Sequence, residues 1–495
     1  MGLPVAGQLG VLAIVTIATL VTYRWLLGRH TAPSSKSVHL ARKAPKGGRT
    51  FRVRGVPLDW DDVRLQSFLA ESEGSAGATI KSLAHEIHGH SRTATVTFQN
   101  VPSQLEAPRT GQTWSILLPK PSENQSARNQ YLALDDGFLG ITTLYTPPLE
   151  DHQVDIIAVS GLGGHAFGSF KERNGGHMWL RDSLPYDITR GDTDDPIARV
   201  MIYGYESSVA QSKSMQNLED LATSFHHSLL ALASSPTTRP IILVAHSLGG
   251  LIVKQTLISL SKSKNEDDAK LVQAVYGIVF FGVPHDGMDI SSLIPMVGDG
   301  PNRFLIESIG RINSQILSIQ QREFHTVLGG EGDSEIFCFY ETVESPTAQE
   351  DEHGNWAMTG PTAVLVTKSS ATHCRSWEDS PEHICGVART HSDMVKFGSQ
   401  DHEYDNARER LKGLARRALT ARHRIQASDA KFLVPYEQNQ DFVERSEILK
   451  VLKLQLGFGP RKGANKGADK PRSRVSLHGL GGVGYLSPPI IKAAV

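Results

Sequence analysis

The chain has 495 residues, with 51 Lys and Arg against 52 Asp and Glu, for a formal net charge of -1. The isoelectric point is near 7.1, so no global field draws the protein to nucleic acid or to acidic ligands. A hydrophobic fraction of 39% with 21% charged residues suits buried cores, and the length allows about three domains. Cys338, Cys374 and Cys385 are odd in number and lack CxxC spacing, which argues against a disulfide framework or zinc site and suits a reducing compartment.

The N-terminus departs from the average. Gly2 to Tyr23 carries no charge, and nine Lys and Arg with no acid follow between Arg24 and Arg54. The run LGVLAIVTIATLVTY is apolar enough to enter a bilayer as a helix. A secretory signal places its positive charges before the apolar run, not after it. The expectation is a transmembrane signal anchor over 1–27, holding the bulk of the chain on the cytosolic side of the outer mitochondrial membrane or the endoplasmic reticulum. A cleaved targeting peptide is the alternative. Residues 28–50, rich in Pro, Gly, Ser and basic side chains, form a linker.

A small α+β module is expected over 51–120. FRVRGVP alternates as a strand, WDDVRLQSFLA follows as a short amphipathic helix, and TIKSLAH, RTATVTF and TWSILLP supply further strands. The order resembles a ferredoxin-like or RNA-recognition module. However, Arg52, Thr93 and Thr95 occupy strand positions where base-stacking aromatics would be needed, so a scaffold or docking role fits better than RNA binding. Residues 121–150 read as a linker.

Over 151–420 strands alternate with helices. VDIIAVSG and RVMIYGY are apolar runs of buried-strand length, NLEDLATSFHHSLLALASS is an apolar-striped helix, and PIILVAH leads into the helix GGLIVKQTLISLSK. AVYGIVFFGVP, EIFCFYE and TAVLVTK are the remaining strands, with TAVLVTK the last, and DNARERLKGLARRAL is the closing helix. This is an α/β class, doubly wound, with a mostly parallel sheet.

Within that layout, a strand runs directly into a helix across AHSLGG. Small residues two before and two after a serine, here Ala245 and Gly249, let the backbone turn sharply and lift Ser247 above the sheet. The amide of Leu248 then faces the place where an oxyanion would form. In this layout the acid follows the penultimate strand and the base the last one. His391, just ahead of the closing helix, is the expected base, with His373 as backup and His383 and His402 as surface residues. Glu341 at the end of EIFCFYE is the expected acid, with Glu344 and Asp286 as alternatives. The glycine-rich loop SGLGGHAFGSF is assigned the second oxyanion donor, at Leu162 and Gly163. It does not fit the G-x-G-x-x-G of dinucleotide sites. No cofactor and no metal are expected.

The ordered set VSGLGGHAFGSF, WLRDSLP, RVMIYGYES, VAHSLGGLIVKQTL, FFGVPHDGMD, FCFYET and THSDMVKF resembles the serine-active-site-containing proteins and related lipase-type serine esterases. The resemblance implies an α/β-hydrolase fold, a catalytic triad of Ser247, His391 and Glu341, and lipid or ester substrates. It further implies phospholipid remodelling at mitochondrial or endoplasmic reticulum membranes. PHDG departs from the family's commoner Pro-His-Arg-Gly. Residues 421–495 resemble a linker followed by the truncated start of a nucleotide-binding domain (NB-ARC or NACHT type) of fungal immune-receptor-like proteins. Gly479 and Gly484 have P-loop spacing, but Tyr485 and Leu486 stand where Lys and Ser or Thr are needed, so no nucleotide binding is expected. The alternative function is a signalling or scaffold module of such a receptor.

Overall fold

In a computed structural model of the chain, residues 49–428 are described, apart from 74–76, 107–112, 120–129, 192, 234–237, 313, 330–332 and 379. The expected anchor over 1–27, most of the basic linker and the P-loop-like C-terminal stretch lie outside the described residues. Among the described residues, no helix is long and apolar enough to cross a membrane.

The first part is an antiparallel sheet of five strands ordered β2-β3-β1-β5-β4. Its strands are β1 (Thr50–Val56), β2 (Ala78–His85), β3 (Arg92–Phe98), β4 (Trp114–Leu117) and β5 (Tyr131–Asp135), and helix α1 (Asp62–Glu73) follows β1. Alternation along β1 sends Phe51 and Val53 into a core with Trp60, Leu65, Leu69, Val96, Leu132 and Leu134. The intervening residues point to the opposite face. There Arg52, Thr93 and Thr95 are all at or below 4% exposure, covered by the second part of the chain. Arg52 Nη1 donates to Thr142 Oγ1 at 2.8 Å, and Arg181 Nη1 donates to Thr95 Oγ1 at 3.2 Å. The face on which an RNA-recognition module would stack bases is therefore an internal interface, and this explains its polar hydrogen-bonding residues.

The stretch 121–150, expected to be a linker, instead contributes a strand to each sheet. Tyr131–Asp135 pairs with β1, and β6 (Gly140–Tyr145) is the antiparallel edge of the large sheet. Only Asp136–Leu139 separates the two strands. Each is short, and the Asp-Gly that follows Asp135 reads as loop chemistry.

The large sheet has seven strands ordered β14-β11-β10-β9-β7-β8-β6. They include β7 (Val154–Val159), β8 (Ala198–Gly204), β9 (Ile241–His246), β10 (Val275–Phe281), β11 (Glu335–Glu341) and β14 (Ile384–Val387). All adjacent pairs are parallel except β6 with β8. Both faces are covered. Ile157, Leu243 and Phe280 pack with α2 (Leu218–Ala233) and α3 (Leu248–Lys262), whereas Ile156, Val244 and Val279 pack with the closing helix α4 (His402–Ser428). Every residue of β7 and β9 is buried, as expected for central strands whose side chains alternate between two helical layers.

TAVLVTK is not the last strand. β12 (Ser345–Glu350) and β13 (Trp356–Ala363) form a separate antiparallel hairpin. Leu365 and Val366 beyond it turn their amides onto the carboxylate of Glu341, so those donors are not available to a sheet ladder. Among the described residues the last parallel strand is the four-residue ICGV, and His391 follows it.

Candidate active site

Ser247 lies between β9 and α3 with φ 51° and ψ −127°, a region that residues other than glycine seldom occupy. Three close approaches hold it there. Its amide donates to Phe281 O at 2.9 Å, tying the turn to β10. A Cβ at Gly249 would lie 2.5 Å from Ser160 O and 2.7 Å from Val159 O, so only glycine lets α3 start this close to the end of β7. A Cβ at Gly250 would meet Val283 at 2.2 Å. The side chain of Ser247 is thereby presented at the carboxyl edge of the sheet. Leu248 is the first residue of α3, where helix amides lack intrahelical acceptors and the helix dipole is positive.

Ser247 Oγ lies 2.9 Å from His391 Nε2, and His391 Nδ1 meets Glu341 Oε2. The Glu341 side chain has no exposure. Its other oxygen, Oε1, accepts the amides of Leu365 at 2.9 Å and Val366 at 3.3 Å. With a carboxylate at Nδ1, that nitrogen carries the proton and Nε2 accepts from the serine hydroxyl. The three groups form one hydrogen-bonded chain through which a hydroxyl can lose its proton to an imidazole, and the resulting charge is balanced by a buried carboxylate. Ser247 and His391 are 4% and 6% exposed, so the chain works in a largely water-excluded setting.

The alternatives lie elsewhere. Glu344 is exposed and accepts from Thr362 Oγ1 at 2.6 Å, and Asp286 is exposed with its amide on Ser370 Oγ. His373 is exposed at the end of a short helix. His383 Nδ1 lies 3.1 Å from Ile336 O, and His402 opens α4 with its side chain in solvent.

The glycine-rich loop runs against the serine: a Cβ at Gly161 would lie 2.8 Å from Ser247 Cβ. Of its two expected donors, Gly163 is corrected. Its amide already donates to Ser207 O at 2.7 Å and the residue is exposed, so the N–H is spent on holding the loop. No backbone carbonyl among the described residues accepts the amide of Leu162, which leaves Leu162 as the loop's candidate donor.

Four further residues around the site were not read from the sequence. Ser345 Oγ accepts the amide of His391 at 2.8 Å. The amides of Leu365 and Val366 orient Glu341, as above. His246, the strand residue before the serine, donates from Nε2 to His391 O at 2.8 Å. Burial, reinforced by the neighbouring His391, pushes the His246 pKa down to about 3, so it stays neutral beside the His391 ring. The only signal for it in the sequence was a polar residue inside an otherwise apolar strand. Among the described residues, no group of three or more His, Cys, Asp or Glu side chains is placed to hold a metal ion.

A mostly parallel seven-stranded sheet, with one antiparallel edge and β7 between β8 and β9, defines an α/β-hydrolase-like fold. The serine, carboxylate and imidazole at the ends of β9, β11 and β14 complete that arrangement. No family model matches the chain. Among curated proteins, 147 residues are 30% identical to the protein SERAC1 of Mus musculus, a match covering 27% of this chain and 22% of that protein. The SERAC1 of Bos taurus is 26% identical over 151 residues, 28% of this chain and 23% of that protein. The match thus spans about a fifth of the length of these relatives. Among solved structures, the mature lipase BlEst2 of Bacillus licheniformis aligns at 12% identity and TM-score 0.32 over 52% of this chain and 92% of its own. Phospholipase PlaB of Legionella pneumophila aligns at 14% identity and TM-score 0.27 over 38% of each chain. The fold assignment rests on strand order and connection, not on these alignments.

Proposed function

We propose that the protein is a serine hydrolase of carboxylic esters that cleaves or transfers acyl groups of lipid-type substrates. The observation that carries the reading is the continuous hydrogen-bonded chain from Ser247 through His391 to the buried Glu341. Ser247 Oγ attacks the ester carbonyl while His391 Nε2 takes its proton. Glu341 balances the imidazolium, and the amides of Leu248 and Leu162 receive the oxyanion. His391 returns the proton to the departing alcohol, leaving an acyl-serine. Water, activated by the same imidazole, then releases the acid; an acceptor alcohol in its place would make the protein an acyltransferase.

A lipid-type substrate is supported by the uncharged stretch from Gly2 to Tyr23 with basic residues behind it, which suits a site held at a lipid surface. The proposal accordingly includes anchoring by residues 1–27 on the cytosolic side of the outer mitochondrial or endoplasmic reticulum membrane.

The test is turnover of p-nitrophenyl butyrate and fatty-acid release from phosphatidylcholine vesicles by the full chain, with Ser247→Ala as the control. Turnover abolished in Ser247→Ala is expected. A folded wild-type protein that cleaves neither would replace this reading with that of a non-catalytic scaffold.

A further inference from the structure

The small N-terminal sheet does more than cover an edge of the large one. The turn Asp136–Leu139, which joins the two sheets, meets the glycine-rich loop at His165 and Phe167. Phe138 is fully buried with φ 52°, a conformation that must be imposed on a phenylalanine. Its amide donates to Asp135 Oδ1 at 2.8 Å. Arg52 of β1 clamps the turn from below, bonding Asp135 Oδ2 at 2.9 Å and Leu139 O at 2.8 Å while its guanidinium sits over the Phe138 ring.

The loop grips this turn with two side chains. Phe167 stacks on Phe138 with ring centroids 5.1 Å apart, and His165 meets the same ring edge-on at 5.6 Å. The His165 imidazole also bridges the two segments: Nε2–H donates to Asp136 O, and Nδ1 accepts the amide of Gly168. At its near end the loop is held by Gly163 on Ser207 O and by Ser207 Oγ on Gly164 O. Gly161, meanwhile, presses on Ser247. Only three residues lie between Gly161 and His165, and Leu162 is one of them. A donor must sit about 2.7–3.1 Å from the oxyanion to be effective, so whatever fixes His165 also fixes the reach of the Leu162 amide.

We propose that the Asp136–Leu139 turn, through His165 and Phe138, positions the loop that supplies the second oxyanion donor, which makes the N-terminal sheet an obligatory part of the catalytic unit. The inference rests on the hydrolase reading above. His165 and Phe138 are positioning residues, and their effect belongs to the transition state rather than to substrate binding.

The test compares wild type, His165→Ala, His165→Gln and Phe138→Leu. The readouts are kcat and KM for p-nitrophenyl butyrate and the inhibition constant of phenylboronic acid, whose tetrahedral serine adduct places an oxygen where the oxyanion forms. His165 is exposed, so its variants keep the fold even where Phe138→Leu loses it. His165→Ala is expected to lower kcat about 10- to 100-fold, short of the full loss of one donor, with KM within about twofold. The inhibition constant is expected to rise by the same factor, and His165→Gln, which keeps a donor and an acceptor, recovers part of the loss. Unchanged kcat and boronate inhibition in a folded His165→Ala protein overturns this inference alone. Absence of Ser247-dependent turnover in wild type overturns the hydrolase reading, and this inference with it.

Discussion

Glu341→Gln is the substitution whose cost the structure defines most closely. The side chain is fully buried, and Oε1 holds the amides of Leu365 and Val366 while Oε2 faces His391 Nδ1. The introduced glutamine keeps the size, and its carbonyl oxygen is the only atom of its amide that can continue to accept those two N–H groups. Its NH2 is thereby turned onto Nδ1, which must become the unprotonated nitrogen. Nε2 then carries the proton and faces Ser247 as a donor, and the base is lost. The charge facing the imidazolium is lost as well. A unit charge pair about 4 Å apart at an effective dielectric near 20 is worth about 4 kcal/mol, and the wrong tautomer adds to that. The expected fall in kcat is about 10^4-fold, as for wrong-tautomer lesions in Ser-His-Asp triads, or about 5.5 kcal/mol. The melting temperature should move only a few degrees, because volume and two hydrogen bonds are retained. Steady-state hydrolysis of p-nitrophenyl butyrate by Glu341→Gln, Glu344→Gln and Asp286→Asn measures the effect. A loss below tenfold in the first, or a larger loss in either of the others, refutes the assignment of the acid.

Substituting Asn for His246 releases the carbonyl of His391 from its donor and should lower kcat about 10- to 100-fold with little change in KM; equal kcat at equal fold content would count against a positioning role. The same residue gives a pH signature in stability. Its folded pKa, about 3, lies below the ordinary 6.5, so between these values the unfolded chain binds the extra proton and stability falls as pH falls. The contribution is about 2 kcal/mol lost by pH 5. His152 and His285 are also lowered by burial, so wild type and His246→Asn are compared by urea denaturation at pH 7 and pH 5. Wild type should lose more, and equal losses would contradict the buried neutral ring. Gly282 has φ +54°, and a Cβ there would lie 2.8 Å from Met394 Sδ and 3.0 Å from the His391 ring. Gly282→Ala should therefore destabilise the fold by about 1–3 kcal/mol and slow the reaction of Ser247 with an active-site phosphonate, while unchanged kinetics would show that the imidazole has room to spare.

The elbow was legible in sequence because its requirements are local. A strand of β-branched and aliphatic residues ends at Ala245-His-Ser-Leu-Gly249, and the backbone that brings Gly249 onto the carbonyls of β7 follows from those five residues. Glu341 and His391 were legible by chain order, since each follows a strand at the same edge of the sheet. Their partners were not, because Ser345, Leu365 and Val366 act through contacts across a hairpin that periodicity does not reveal. The strand TAVLVTK was misread for a related reason. Its Leu365 and Val366 are buried, yet against Glu341 rather than in the sheet, while ICGV, the last strand among the described residues, is too short and glycine-interrupted to stand out. The polar character of Arg52, Thr93 and Thr95 was visible, but its cause, the large sheet covering that face, lies outside any local pattern.

The central claim is that Ser247 is the nucleophile made reactive by His391. Its most direct measurement is the reaction of the full chain with a fluorophosphonate, followed by intact-mass and peptide mass spectrometry. One adduct per chain, located on Ser247, lost in Ser247→Ala and slowed by orders of magnitude in His391→Ala, is the expected result. A folded wild-type protein that takes up no phosphonate, or carries it on another residue, would contradict the account.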